Sequence, residues 1–121
     1  MAVVLLVVLA ACSAGGGSPA QGEQLFSNTL QVAGVANCST CHAIETDEAA
    51  DIGPGLAGIA TRAESRVAGQ SAEEYLRRSI TAPNDYITEG YEGGIMPRNY
   101  TAVLTDEQID HLVAYLMTLE E

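Results

Sequence analysis

Two cysteines and a histidine in the run Cys38-Ser39-Thr40-Cys41-His42 carry the clearest chemistry in this chain. Thiols three residues apart, with an imidazole directly after the second, read as a c-type haem attachment site. In that chemistry each thiol adds to one vinyl group of the haem, and the adjoining imidazole is left facing the iron. His42 is therefore expected as one axial ligand, with Cys38 and Cys41 holding a single covalent haem c. The other readings of a Cys-x-x-Cys pair fit less well. Thioredoxin-like redox chemistry needs a βαβ context, and no stretch here alternates long enough to suggest a sheet. A four-ligand zinc site needs a second Cys/His pair, which His111 alone cannot supply.

The other face of the iron decides what the site does. A soft or imidazole-like sixth ligand suits electron transfer, whereas an open position suits an enzyme or a gas sensor. Met96, Met117 and His111 are the candidates. Met117 adjoins Leu116 in a helical pattern, where a methionine fills space. His111 lies between Asp110 and Leu112 on the same pattern and reads as a partly exposed side chain. Met96 sits in Gly93-Gly94-Ile95-Met96-Pro97, where glycines permit close backbone approach and Pro97 stiffens the exit. A thioether on such a loop can be placed over the iron, so Met96 is the expected sixth ligand. His/Met ligation raises the reduction potential relative to two imidazoles and leaves little to rearrange when an electron passes. That pattern suits a carrier rather than an enzyme.

Composition narrows the setting. The chain has 121 residues, with no Trp and one Phe, so its apolar core is thin without a prosthetic group. Net charge is −11, and all five basic residues are arginines. This balance disfavours nucleic acid and anionic lipid surfaces as partners and favours a basic docking face on another protein; the alternative is that the acidity simply keeps the protein in solution.

The elements that must position these residues can be read in outline. Residues 2–11 form an apolar run too short to span a bilayer but of the right length for a signal-peptide core. Leu9-Ala10-Ala11-Cys12 matches the bacterial lipobox, although no Lys or Arg precedes the run. The expectation is a signal peptide over 1–11, a lipidated Cys12 and a Gly/Ser-rich tether over 12–20, and one haem domain over 21–121. That places the domain on the extracytoplasmic face of a membrane, anchored through its N-terminal lipid. Ser18-Pro19-Ala20-Gln21 predicts a helix start, with the helix running from about 19 to 29. Residues 28–37 then form a loop leading to the cysteines. Glu45, Asp47, Glu48 and Asp51 read as a solvated acidic segment, and Gly53-Pro54-Gly55 as a tight turn. Ser71 to Glu74 is a capping box opening a helix with Tyr75, Leu76, Ser79 and Ile80 inward, stopped by Ala82-Pro83-Asn84. Residues 84–100 read as loop. Thr105 to Gln108 caps a last helix, over about 106–119, with Ile109, Leu112, Val113, Tyr115 and Leu116 buried. The fold class is all-α.

These residues together resemble a class I cytochrome c from Gly22 to Leu119. Gly22 with Phe26, and Leu112 with Tyr115, match the crossing of the family's first and last helices. Gly53-Pro54-Gly55-Leu56-Ala57-Gly58 followed by Arg62 matches the family's run around the proximal ligand. The resemblance implies that the Pro54 carbonyl accepts a hydrogen bond from His42, and that Arg62 lies near a haem propionate. The later runs Tyr75 to Asn84 and Gly90-Tyr91 to Met96-Pro97 are similar to the haem domain of caa-type oxidase subunit II. They also look like monohaem lipoprotein subunits of alternative complex III. The implied role is single-electron transfer in a respiratory or photosynthetic chain, between redox protein partners of a membrane complex. A free tethered shuttle is the alternative. The twelve-residue step from Phe26 to Cys38 is longer than in compact members and leaves the path of 28–37 open.

Overall fold

A computed structural model describes residues 16–48 and 52–121. The expected signal peptide, the expected lipidation site Cys12 and most of the expected tether, together with Asp51, lie outside the described residues. Helix α1 spans Pro19–Phe26, a single 3-10 turn spans Cys38–Thr40, and α2 to α5 span Ile59–Ala63, Ala72–Thr81, Tyr100–Val103 and Asp106–Leu116. Among the described residues there is no strand, as expected for an all-α chain.

Helix α1 begins where its capping residues put it. The Ser18 side chain accepts from the Gln21 amide and Pro19 occupies the first turn. It ends earlier than the sequence predicts, at Phe26, because Ser27 folds its hydroxyl back onto the Glu23 carbonyl and Asn28 takes a positive φ of 50°. Two reciprocal capping boxes open α3 and α5. Ser71 pairs with Glu74, and Thr105 with Gln108. Both inward faces match the periodicity, with Tyr75, Leu76 and Ile80 buried on α3 and Ile109, Leu112 and Leu116 on α5. The last helix stops at Leu116, and Met117 caps it. The chain beyond still docks: the Ala60 amide donates to the Leu119 carbonyl at 3.1 Å, tying the C-terminus to α2.

The crossing of α1 and α5 anchors the framework. A Cβ at Gly22 would collide with the His111 carbonyl oxygen and come within 2.6 Å of the Tyr115 Cβ, so only glycine permits this approach. Phe26 and Tyr115 pack beside the contact at 5.5 Å and 58°. His111 departs from expectation here. It is 8% exposed rather than partly open, and its Nδ1 accepts the Ser18 amide at 2.8 Å. Gly17 also lies against α5, where a Cβ would meet the Asp110 carbonyl. Gly17 and Ser18, ahead of α1, therefore already pack against α5.

The loop over 27–37 has a defined path. Asn28 accepts the Val32 amide at 3.0 Å and donates to the Val35 carbonyl at 3.4 Å, bridging its own loop. Asn99 then donates to the Gly34 carbonyl at 3.3 Å, holding the loop beside α4.

Candidate functional site

Helices α1, α3 and α5, with the two long loops between them, enclose an apolar cavity of about 270 Å³. Cys38, Cys41 and His42 reach it from one side and Met96 also lines it. The 3-10 turn brings the first three together. Asn37 caps it by accepting from the Ser39 amide at 3.0 Å and the Ser39 hydroxyl at 2.6 Å. The Cys41 and His42 amides then both donate to the Cys38 carbonyl, at 3.1 and 2.9 Å. Cys38 and Cys41 form no disulfide, and before haem attachment burial pushes the Cys38 thiol up to about 11. Among the described residues no group of acidic, cysteine or histidine side chains is arranged to hold a metal ion.

His42 is oriented from behind. Its Nδ1 lies 2.8 Å from the Pro54 carbonyl oxygen, which can only accept, so Nδ1 carries the proton and Nε2 keeps its lone pair for a metal. Gly53 leaves room for this ring: a Cβ there would lie 2.7 Å from Cε1 and 2.9 Å from Nδ1. Residues 53–57 are more than a tight turn. Their amides run along the segment after the 3-10 turn, with Gly53 donating to Cys41 at 2.9 Å and Leu56 to Ala43 at 2.8 Å. The carbonyl that fixes the imidazole is thus built into the backbone carrying the cysteines.

Arg62 is held by backbone carbonyls. Its guanidinium donates to the Gly55 carbonyl at 3.1 Å and to the Ala57 carbonyl. It sits 3.8 Å from Glu121 and is not among the cavity-lining side chains. Its forked donors hold the loop that presents Pro54, so it supports the histidine through the backbone.

Met96 lines the same cavity, half-buried and packed against the core. Sequence reasoning overlooked how its loop is held. Asn84, just past the Pro83 that stops α3, accepts the Gly94 amide at 2.8 Å, and Gly94 takes a φ of 84°. The only signal for this clamp was an amide side chain directly after the helix stop. Neither other candidate reaches the cavity: Met117 packs on the core and His111 is spent on the Ser18 amide.

Aromatic rings complete the walls. Tyr75 and Tyr86 meet edge to face at 5.6 Å and 79°. Tyr100 is buried, and that burial pushes its hydroxyl up to about 12. Ile52, Tyr86, Ile87 and Ile95 form an apolar rim, each more than a third exposed. The lining carries one carboxylate, Glu92, and no arginine.

Two thiols, an imidazole with a free Nε2 and a thioether lining one apolar cavity fit one covalently attached haem. A comparison with curated proteins finds no match. The cytochrome c family model matches residues 19–120, which takes in every element described above. The chain belongs to the cytochrome c family, and its cofactor is one covalently attached haem c.

Proposed function

We propose that this protein is a lipid-anchored monohaem cytochrome that passes single electrons at the extracytoplasmic face of a bacterial membrane, with iron held by His42 and Met96. One observation carries the reading: the imidazole fixed on Pro54 and the Met96 thioether both belong to the cavity that the Cys38 and Cys41 thiols enter. Haem c supplies a one-electron couple at its iron. The chain's own residues bind it, orient it and exclude water. Pro54 holds the His42 proton on Nδ1 and makes the imidazole a stronger donor. Met96 offers a soft sulfur that favours the ferrous state and raises the potential. Tyr75, Leu76, Ile80 and Leu112 keep the surroundings dry, which limits reorganisation when charge arrives.

Membership of a quinol-oxidising or terminal oxidase complex is the favoured setting, with a free tethered shuttle as its rival. With Gly17 packed on α5, four residues separate Cys12 from the domain. A chain that short spans at most about 18 Å when fully extended, which favours a fixed neighbour over a roaming shuttle. The net charge of −11 matches a basic docking face on that neighbour.

The test of ligation is Met96→Ala. The substitution is expected to abolish the weak long-wavelength band of a thioether–ferric iron bond and to lower the reduction potential. An unchanged spectrum and potential would sink Met96 and reopen the enzyme or gas-sensor reading. Cys12→Ser is expected to release the protein from membranes, and gentle extraction of the native protein identifies the complex through what accompanies it.

A further inference from the structure

His111 is the chain's second histidine, and the cavity chemistry leaves it unused. It is buried on α5, and its Nδ1 accepts the Ser18 amide at 2.8 Å. That nitrogen must therefore be bare, which puts the proton of the neutral ring on Nε2. Nε2 lies 3.9 Å from a carboxylate oxygen of the exposed Glu107, one helical turn back on α5. The bond sits at the entry to α1. The Ser18 hydroxyl accepts the Gln21 amide at 3.4 Å, and its carbonyl accepts the Gly22 amide at 2.9 Å. Gly17 presses on the same face, where a Cβ would meet the Asp110 carbonyl. The remaining charges around the ring are engaged elsewhere. Asp110 is paired with Arg77 of α3, and Glu23 of α1 lies beside Tyr115, one turn further along α5.

A histidine placed this way has a different partner in each charge state. Neutral, it accepts from Ser18. A proton on Nδ1 turns the acceptor into a donor, sets two N–H groups face to face and ends the bond. The charged ring is instead drawn to Glu107, which stands in the favourable order for a helical ion pair. We propose that Ser18 and His111 form a proton-operated latch: the neutral ring pins the chain ahead of α1 to α5, and the protonated ring releases it and turns to Glu107. Opening frees residues 17–18, roughly 7 Å of extended chain, and leaves α1 to the hydroxyl cap of Ser18. The latch depends neither on which ligands hold the iron nor on lipid at Cys12. In the anchored reading it makes the reach of the tether a function of local pH.

The experiment follows the nitrogen-labelled ferrous haem protein by NMR from about pH 8 to about pH 5, which spans the ordinary titration of an imidazole and stays above that of carboxylates. The Ser18 amide resonance is expected to move with the same midpoint as the His111 ring. Its protection from exchange, corrected for the intrinsic pH dependence, is expected to fall about fivefold, the worth of one net hydrogen bond. The Gly22 amide, held by the Ser18 carbonyl, is expected to keep its protection. In Glu107→Gln the charged ring loses its partner, so opening is expected about 0.2–0.4 pH unit lower. His111→Gln, whose side-chain carbonyl can accept but cannot titrate, is expected to remove the pH dependence of the Ser18 amide. The wild-type titration and the surface substitution at Glu107 decide the matter whether or not that variant folds. A Ser18 amide indifferent to pH while the ring titrates overturns the latch, as does a ring that stays neutral throughout. Equal loss of protection at Gly22 also overturns it, since that reports fraying of α1 rather than release of the segment ahead of it.

Discussion

Gly53 is the position where one added carbon should be felt at the iron. A Cβ there would stand 2.7 Å from the His42 Cε1, 2.9 Å from Nδ1 and 3.0 Å from the Cys41 carbonyl oxygen. Ordinary contact begins near 3.4 Å, so ring and backbone must separate by roughly 0.7 Å. The imidazole has little freedom to yield, being tied to its own cysteine turn and to iron. Residue 53 therefore moves and takes the Pro54 carbonyl with it. Lengthening the 2.8 Å bond by that amount carries it to the edge of hydrogen-bond range. The bond makes the imidazole more electron-rich, which favours ferric iron, so Gly53→Ala should raise the reduction potential. If about 0.5–1 kcal/mol of the bond's net worth differs between the two oxidation states, the rise is roughly 20–45 mV for a one-electron couple. Redox titration gives the potential, and proton NMR of the ferrous protein gives exchange of the Nδ1 proton. A lower potential, or an unchanged one with the proton still protected, would refute the reasoning.

Three further outcomes follow from the same geometry. Gly22→Ala should lower unfolding free energy by about 1–3 kcal/mol in urea titrations, because the helix-propensity gain of roughly 1 kcal/mol is smaller than the overpacking against His111 and Tyr115. Arg62→Ala removes two charge-assisted bonds and should cost about 2–4 kcal/mol in urea titrations. Tyr100 has its folded pKa raised above the unfolded one, so its stabilisation is complete below about pH 10 and is lost as pH rises towards about 12. Solvent screening at the cavity side reduces this to on the order of 1 kcal/mol. The difference in urea midpoints between pH 9 and 12 should therefore be smaller in Tyr100→Phe than in the wild type.

The parts legible in the sequence were those where chemistry is local. Capping boxes at Ser71 and Thr105 act over three residues, so both helix starts were readable. So was the Cys38 to His42 turn, whose geometry follows from spacing alone. The Gly22 and Phe26 pairing with α5 was accessible only through resemblance, since nothing local says which helix a glycine will touch. Helices α2 and α4 span too few residues to show a period, and were missed for that reason. His111 was misread because its burial comes from the segment ahead of α1, residues 17–18, lying over α5, a contact between positions 93 residues apart.

Arg62 shows how a residue can act on the histidine without touching it. An arginine four residues after Gly58 is positioned by α2 to reach back over its own N-terminal loop, and the Gly55 and Ala57 carbonyls lie in that path. The guanidinium stiffens the run that carries Pro54, and the Pro54 carbonyl in turn fixes the His42 ring, so the orientation of the imidazole depends on a side chain twenty residues further along the chain.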